Sequence, residues 1–212
     1  MAEGEDEGGV LSGIISSVIL FAIGYGVYAY LSGPDTFYAN VDGKEYEITS
    51  ENAVFGLGSE QQQYMRKLIN NTIASIPDDA NPAREKQTWI DASKAICNSN
   101  EFNAFGLKTN WFGYVDDVYM TDDGEIKFEV QIDETDNEVH DWIDKRFYDV
   151  VLDLKEGDIV RFSGYFQKGD VSENECLATI NFLNNNPELY DEAYDFTFTN
   201  IEKIPTRTVE VD

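Results

Sequence analysis

Histidine occurs once in this chain, at His140, and cysteine twice, at Cys97 and Cys176. Two cysteines at this spacing fit no zinc-ligand pattern and allow at most one intramolecular disulfide, which excludes metal-folded and disulfide-dense scaffolds. With a single histidine, Ser-His-Asp or Cys-His catalysis has to use His140, and no serine or cysteine stands in a nucleophile motif. Glycine-rich phosphate loops are missing too: Gly24-x-Gly26 and Gly56-x-Gly58 are too short to cradle a phosphate. Basic side chains are scarce, 15 lysines and arginines against 41 aspartates and glutamates, a formal net charge of −26. A surface that acidic repels phosphate backbones and stays well solvated.

What is present is globular: 42% of the 212 residues are hydrophobic and 26% charged. The negative charge is uneven. Residues 59–98 hold five basic and five acidic groups, whereas residues 110–212 hold 8 basic against 26 acidic. The acidic part is therefore the C-terminal half, where a nucleic-acid binder needs lysine and arginine. No motif implies a cofactor.

Residues 1–9, MAEGEDEGG, form an acidic, glycine-rich tail that is expected to be disordered. From Val10 to Leu31 the chain carries no charge, and at 1.5 Å per residue this stretch reaches about 33 Å, enough for a hydrocarbon core of ~30 Å. Tyr25, Tyr28 and Tyr30 crowd one end, as interfacial rings do, and Ser32-Gly33-Pro34 ends the helix, so residues 10–32 read as a transmembrane helix embedded in a lipid bilayer. A cleaved signal peptide needs a basic leading segment, and here four acids precede the span. Gly13 and Ser17, then Ala22 and Gly26, are small residues four apart, a spacing that lets two such helices pair into a homo-oligomer. Only Lys44 lies close enough to the span to bear on orientation, and it favours a cytoplasmic domain.

Residues 35–50 read as a β-hairpin or stalk, because Asp42-Gly43 supplies the positive φ angles of a two-residue turn between alternating strands. Residues 59–98 read as an antiparallel helix pair. Ser59-Glu60-Gln61-Gln62 has the form of a capping box, and Met65, Leu68, Ile69, Thr72, Ile73 and Ile76 form its stripe. Asn81-Pro82 caps the second helix, with Trp89, Ile90, Ser93, Ile96 and Cys97 on its apolar side.

Residues 110–205 carry the organising pattern. A strand over Asn110–Met120 bends at Gly113, and Asp122-Asp123-Gly124 turns into Glu125–Asp133, where Ile126, Phe128, Val130 and Ile132 alternate with polar residues. A strand near Val139–Ile143, a short helix over Phe147–Leu154, a strand over Ile159–Phe166 and closing strands over Cys176–Phe182 and Tyr194–Ile204 follow. Those six candidate strands, one more than the type needs, with a helix after the third, predict an α+β chain ending in a five-stranded OB-like β-barrel, with residues 206–212 as a tail. In this frame Cys97 and Cys176 are either a bridge between the preceding helix and a late strand, worth on the order of 3–5 kcal/mol, or two buried thiols.

The run Ala95-Ile96-Cys97, Asn110-Trp111-x-Gly113-x-Val115, Leu154-x-x-Gly157-Asp158-x-Val160-x-Phe162-Ser163-Gly164-x-Phe166, Cys176 and Phe196-x-Phe198-x-x-Ile201 resembles uncharacterised bacterial envelope proteins with a tRNA-anticodon-type OB domain behind a membrane or lipid anchor. The resemblance spans residues 90–204 and rests on turn glycines and core aromatics, so it implies a fold and no catalytic residue. It also implies a Cys97–Cys176 disulfide and an extracytoplasmic, periplasmic domain on the bacterial inner membrane.

Two constellations stand out. If Trp111, Val115, Val160 and Phe162 point into the barrel, Phe112, Tyr114, Arg161 and Tyr165 point out, and such aromatics either stack on a ligand or pack against the helices or stalk. The run 133–141 places Asp133, Asp136 and Glu138 near His140. Clustered carboxylates suit a hard cation, but the run lacks an EF-hand's glycine and glutamate and reads first as a solvated loop. The sequence thus predicts a non-catalytic, single-pass membrane protein whose barrel is a binding or accessory module for a protein or glycan partner in the cell envelope. The alternatives are a single-strand nucleic-acid binder at the inner membrane face, which the charge disfavours, and an envelope hydrolase using acidic residues.

Overall fold

The computed structural model describes residues 37–169, 176–179 and 192–208. The span 10–31, including Val10, Gly13, Ser17, Ala22, Gly26 and Leu31, lies outside them. Among the described residues no helix is long and apolar enough to cross a membrane.

The first hairpin forms as the turn chemistry dictates. Strands β1 (Phe37–Val41) and β2 (Lys44–Ile48) pair antiparallel, and Asp42 and Gly43 take φ of +52° and +79° between them. Its other edge is filled by β8 (Thr206–Thr208), which pairs antiparallel with β1. Residues 206–208 are therefore not a tail. They close a three-stranded sheet in the order β2-β1-β8, and Arg207 clasps the Glu45 carboxylate across it at 2.8 Å.

Three helices follow: α1 (Glu51–Phe55), which the sequence reading did not anticipate, α2 (Glu60–Ser75) and α3 (Pro82–Asn98). Asn81 caps α3 as expected, its side chain accepting from the Arg84 amide. The capping box on α2 is not formed. Ser59 makes no side-chain cap bond, and the Gln62 side chain reaches away from its own helix into the barrel wall. The α2 stripe holds at Met65 and Ile69, both buried, whereas Ile73 is 41% exposed on the wall of an open cavity with Ile76, Pro77 and Trp89. Helices α2 and α3 join the barrel interior in one core through Met65, Ile69, Trp89 and Ile96.

The barrel comprises β3 (Lys108–Met120), β4 (Ile126–Gln131), β5 (Glu138–Trp142), β6 (Ile159–Phe166) and β7 (Ala193–Lys203). It closes in the order β3-β4-β5-β7-β6, antiparallel throughout except for a short parallel pairing of β5 with β7. This is an α+β architecture with a closed, mixed, five-stranded barrel, and its strand order is consistent with the OB type. Helix α4 (Tyr148–Leu152), preceded by a 3-10 turn over Lys145–Phe147, lies between β5 and β6 and sends Val151 into the core. The stretch expected as a strand over Cys176–Phe182 makes only isolated bridges in its described part, Lys168 to Leu177 and Thr179 to Tyr194.

Period-two alternation fills the interior. Ile126, Phe128 and Val130 are fully buried on β4, and Trp111, Val115, Val160 and Phe162 point inward as expected. Their partners are rings: Phe162, Phe166, Phe196 and Phe198 sit edge to face at centroid separations of 5.0–5.7 Å. Two glycines allow the strands to close this tightly. A Cβ on Gly113 would lie 2.2 Å from the Gln131 carbonyl oxygen, and one on Gly164 would lie 2.2 Å from that of Thr197. The Cys97–Cys176 disulfide, with 5.7 Å between Cα atoms, fastens α3 to the segment before β7.

Candidate functional site

The outward residues nominated from sequence separate into two groups. Phe112 and Arg161 are cross-strand partners, with Tyr114 one pleat further along. The three are brought together, but the small sheet and α1 occupy their face. Phe112 is 3% exposed in a second core with Ala39, Ile48, Val54, Ile159 and Ile204. Tyr114 is half-buried, its ring edge-on to Phe55 at 5.6 Å. Arg161 is held between Asp42 and Glu202 at 2.7 Å from each, which pulls the Asp42 carboxyl below its ordinary range and raises the guanidinium. Phe112, Tyr114 and Arg161 are thus the seam on which the hairpin docks, because an apolar outward pair needs cover and β8, which directly follows β7, pairs with β1 and holds the hairpin there. Only Tyr165, 40% exposed, stays on open surface.

The acidic loop is also rearranged. Asp133 is 1% exposed and turned inward, accepting from the amide and hydroxyl of Thr135 and from the Asn137 side chain, so it braces the loop. Burial raises its carboxyl even against those donors. Asp136 accepts from Gln131 instead. Glu138 gathers with Asp116 and Glu129, their oxygens all within 4.8 Å of one another, and these are the residues placed to hold a hard cation among the described residues. Asp116 is pushed up by burial and then by the charges of Glu129, Asp117 and Glu156.

An open concavity adjoins this cluster, sharing Glu129 with it, and lies over β4 and β5 with a volume of about 660 Å³. Register builds it. On β4 the residues between Ile126, Phe128 and Val130 must point out, giving Lys127 and Glu129. Tyr119 and Trp142 pair with Lys127 from either side, and Asp117 and His140 pair with Glu129. The parallel pairing of β5 with β7 then sets Asp195 against His140. Two rows result, an aromatic-flanked Tyr119–Lys127–Trp142 and an acidic Asp117–Glu129–His140–Asp195. Tyr119 and Trp142 are 54% and 52% exposed and form walls, while Asp141 and Thr179 complete the lining.

Its electrostatics follow from that layout. The Lys127 ammonium is engaged by the Glu129 carboxylate. His140 is buried, which lowers its pKa, and the Lys127 charge lowers it further against the pull of Asp195 and Glu129. Its Nε2 lies 3.3 Å from Asp195 Oδ1 but finds no hydrogen-bond partner among the described residues. Asp141 is pushed up to about 6, first by burial, while the backbone N–H groups of Phe198 and Trp142 donate to it and partly offset the rise. The sequence signal for this groove was the alternation in β5: with Val139 and Ile143 inward, His140 and Trp142 have to face outward.

Fold and groove together define an OB-like α+β barrel protein with a concave outer face. Neither the family models nor the curated proteins compared with this chain contain a match.

Proposed function

We propose that this chain is a non-catalytic binding module, held to a bacterial inner membrane by residues 10–31, whose barrel engages a protein partner in the cell envelope. The observation that carries the reading is the groove over β4 and β5: it is open, walled by two half-exposed aromatics, and built on the rigid wall of a barrel whose interior is filled by side chains. Three further features support the placement. The uncharged stretch Val10–Leu31 is long enough to span a bilayer. A Cys97–Cys176 disulfide suits an oxidising compartment. Single-stranded nucleic acid is disfavoured, since the groove carries Asp117, Glu129, Asp141 and Asp195 against Lys127.

The test is a photo-crosslinking amino acid at position 119 in the full chain in intact cells, with position 149 as the control. A discrete adduct from position 119, absent when the membrane-spanning stretch is deleted, is expected. Equal adduct patterns from both positions, or oligonucleotide affinity that survives 0.15 M salt, overturn the reading.

A further inference from the structure

We propose that the groove between Tyr119 and Trp142 receives an arginine- or lysine-bearing segment of a partner protein, a ligand assignment that rests on the binding-module reading above. Three observations converge on it, the first being hydrogen-bond polarity. Asp117, Glu129, Asp141 and Asp195 line the groove and can only accept when ionised, against one ammonium, Lys127, which Glu129 engages. Four carboxylates against one ammonium select a cationic ligand made of donors, the lining's own donors being the hydroxyls of Tyr119 and Thr179, the Trp142 indole N–H and Lys127. Guanidinium and ammonium groups only donate and bring the charge opposite to that of the lining, whereas a neutral sugar brings none.

The second is His140, 5% exposed at the base of the acidic row, with an Nε2 that faces Asp195 Oδ1 at 3.3 Å and makes no hydrogen bond among the described residues. A buried nitrogen in that condition is a cost unless something completes it. A donor seated beside the pair on the groove side satisfies the Asp195 carboxylate and frees His140 Nε2 to settle on either partner. The third is the aromatic pair. Tyr119 and Trp142 flank Lys127 in one cross-strand row, giving two ring faces beside the carboxylates. A planar guanidinium stacks on such faces while its edge meets a carboxylate, and stem methylenes cover the ring. At about 660 Å³ the groove accommodates a peptide segment rather than a single small amine.

The experiment uses the full chain in detergent at 0.15 M salt and pH 7.5, with three probes: a fluorescein-labelled peptide of alternating glycine and arginine, the same peptide with citrulline for arginine, and a neutral N-acetylglucosamine oligosaccharide. The arginine peptide should bind at least tenfold tighter than the citrulline peptide. Asp117→Asn with Asp195→Asn should weaken it about tenfold, and Trp142→Ala several-fold. The charge-matched control Glu101→Gln with Asp149→Asn, away from the groove, should change it less than twofold. All variants alter exposed side chains, and an unchanged thermal midpoint confirms their folding. Equal losses from groove and control variants reduce the effect to diffuse charge and overturn the proposal. Oligosaccharide binding lost in Trp142→Ala, with no arginine selectivity, also overturns it while leaving the module reading standing. If none of the probes binds, the ligand assignment falls, and the module is judged on crosslinking from position 119 alone.

Discussion

Gln62 grips the peptide unit of Phe112 from both sides: the Phe112 amide donates to Gln62 Oε1 at 2.9 Å, and Gln62 Nε2 donates back to the Phe112 carbonyl at 2.6 Å. The same Nε2 also donates to Ile132 O at 2.9 Å, and the side chain is 1% exposed. One side chain from α2 therefore satisfies backbone groups of the barrel wall beside the bend at Gly113, which the strand ladder does not pair. Removing it strands buried backbone donors and acceptors, so Gln62→Ala should cost about 3 kcal/mol, several unmade hydrogen bonds rather than one. Ser59→Ala should cost under about 0.5 kcal/mol, because the Ser59 hydroxyl makes no cap bond, whereas a working cap is worth ~1 kcal/mol. Urea unfolding of both variants separates the two roles, and a Ser59 loss as large as that of Gln62 would restore the capping box.

This pair also marks where local sequence stops being informative. Ser59 followed by Gln62 has the spacing of a cap, and nothing within a few residues says that the glutamine is needed some fifty positions later. The same limit explains Phe112 and the strand at 206–208. Alternation shows that Phe112 points out of the barrel, but whether a neighbour covers it depends on where the hairpin docks. Thr206–Thr208 is too short to read as a strand until the free edge of β1 is in view. Readings whose cause is local were legible: the Asp42-Gly43 turn, the Asn81 cap, and the inward Ile126, Phe128 and Val130. The groove was half legible. The outward set of each strand follows from alternation, but bringing Tyr119, Lys127 and Trp142 into one row needs the register between three strands.

Lys108 is fully buried, and its ammonium donates to the carbonyls of Phe102, Asn103, Ala104 and Gly106 at 2.6–3.3 Å while lying 4.4 Å above the Phe102 ring. The cage favours the charged form, and burial opposes it, lowering the pKa to about 8. Because the folded pKa is below the unfolded one, the unfolded chain holds the proton longer between about pH 8 and the ordinary lysine range. Stability attributable to Lys108 therefore rises as pH increases through 8 and is lost as pH falls back through it. Lys108→Met should cost roughly 3 kcal/mol at pH 7 by leaving the carbonyls without a donor, and should abolish that alkaline rise. Chemical unfolding at pH 7 and pH 9.5 measures both; identical pH slopes in the two proteins refute the linkage.

The Cys97–Cys176 bridge closes a loop with a sequence separation of 79 residues. On the chain-entropy account a loop of that length stabilises by about 4 kcal/mol, mostly by restricting the unfolded ensemble. Reduction should lower the urea midpoint of the wild type and leave Cys97→Ser/Cys176→Ser unchanged, the variant matching the reduced wild type. A reductant effect that persists in the double variant would have some other source.

Groove carboxylates and the histidine beside them should make stability depend on pH in opposite directions. Asp141 has its folded pKa raised to about 6, so the folded protein holds that proton longer than the unfolded chain does. Its contribution is fully present below the unfolded carboxylate range and is lost as pH rises through about 6. His140 has its folded pKa lowered, first by burial and then by Lys127, with Asp195 and Glu129 acting against the shift. Its contribution is present above the ordinary histidine range and is lost as pH falls through the folded value. In the wild type the two act against each other below about pH 6, where both windows overlap. Asp141→Asn removes the first dependence, so this variant should gain on the wild type as pH rises through 6. His140→Gln removes the second, so this variant should gain on the wild type as pH falls below 6. Thermal midpoints at pH 5, 6 and 7.5 for all three proteins decide the matter, and parallel curves would show that neither group feels the groove. The arginine peptide adds a coupled readout: because Asp141 attracts it only when ionised, its affinity should fall on acidification through pH 6 in the wild type and fall less in Asp141→Asn.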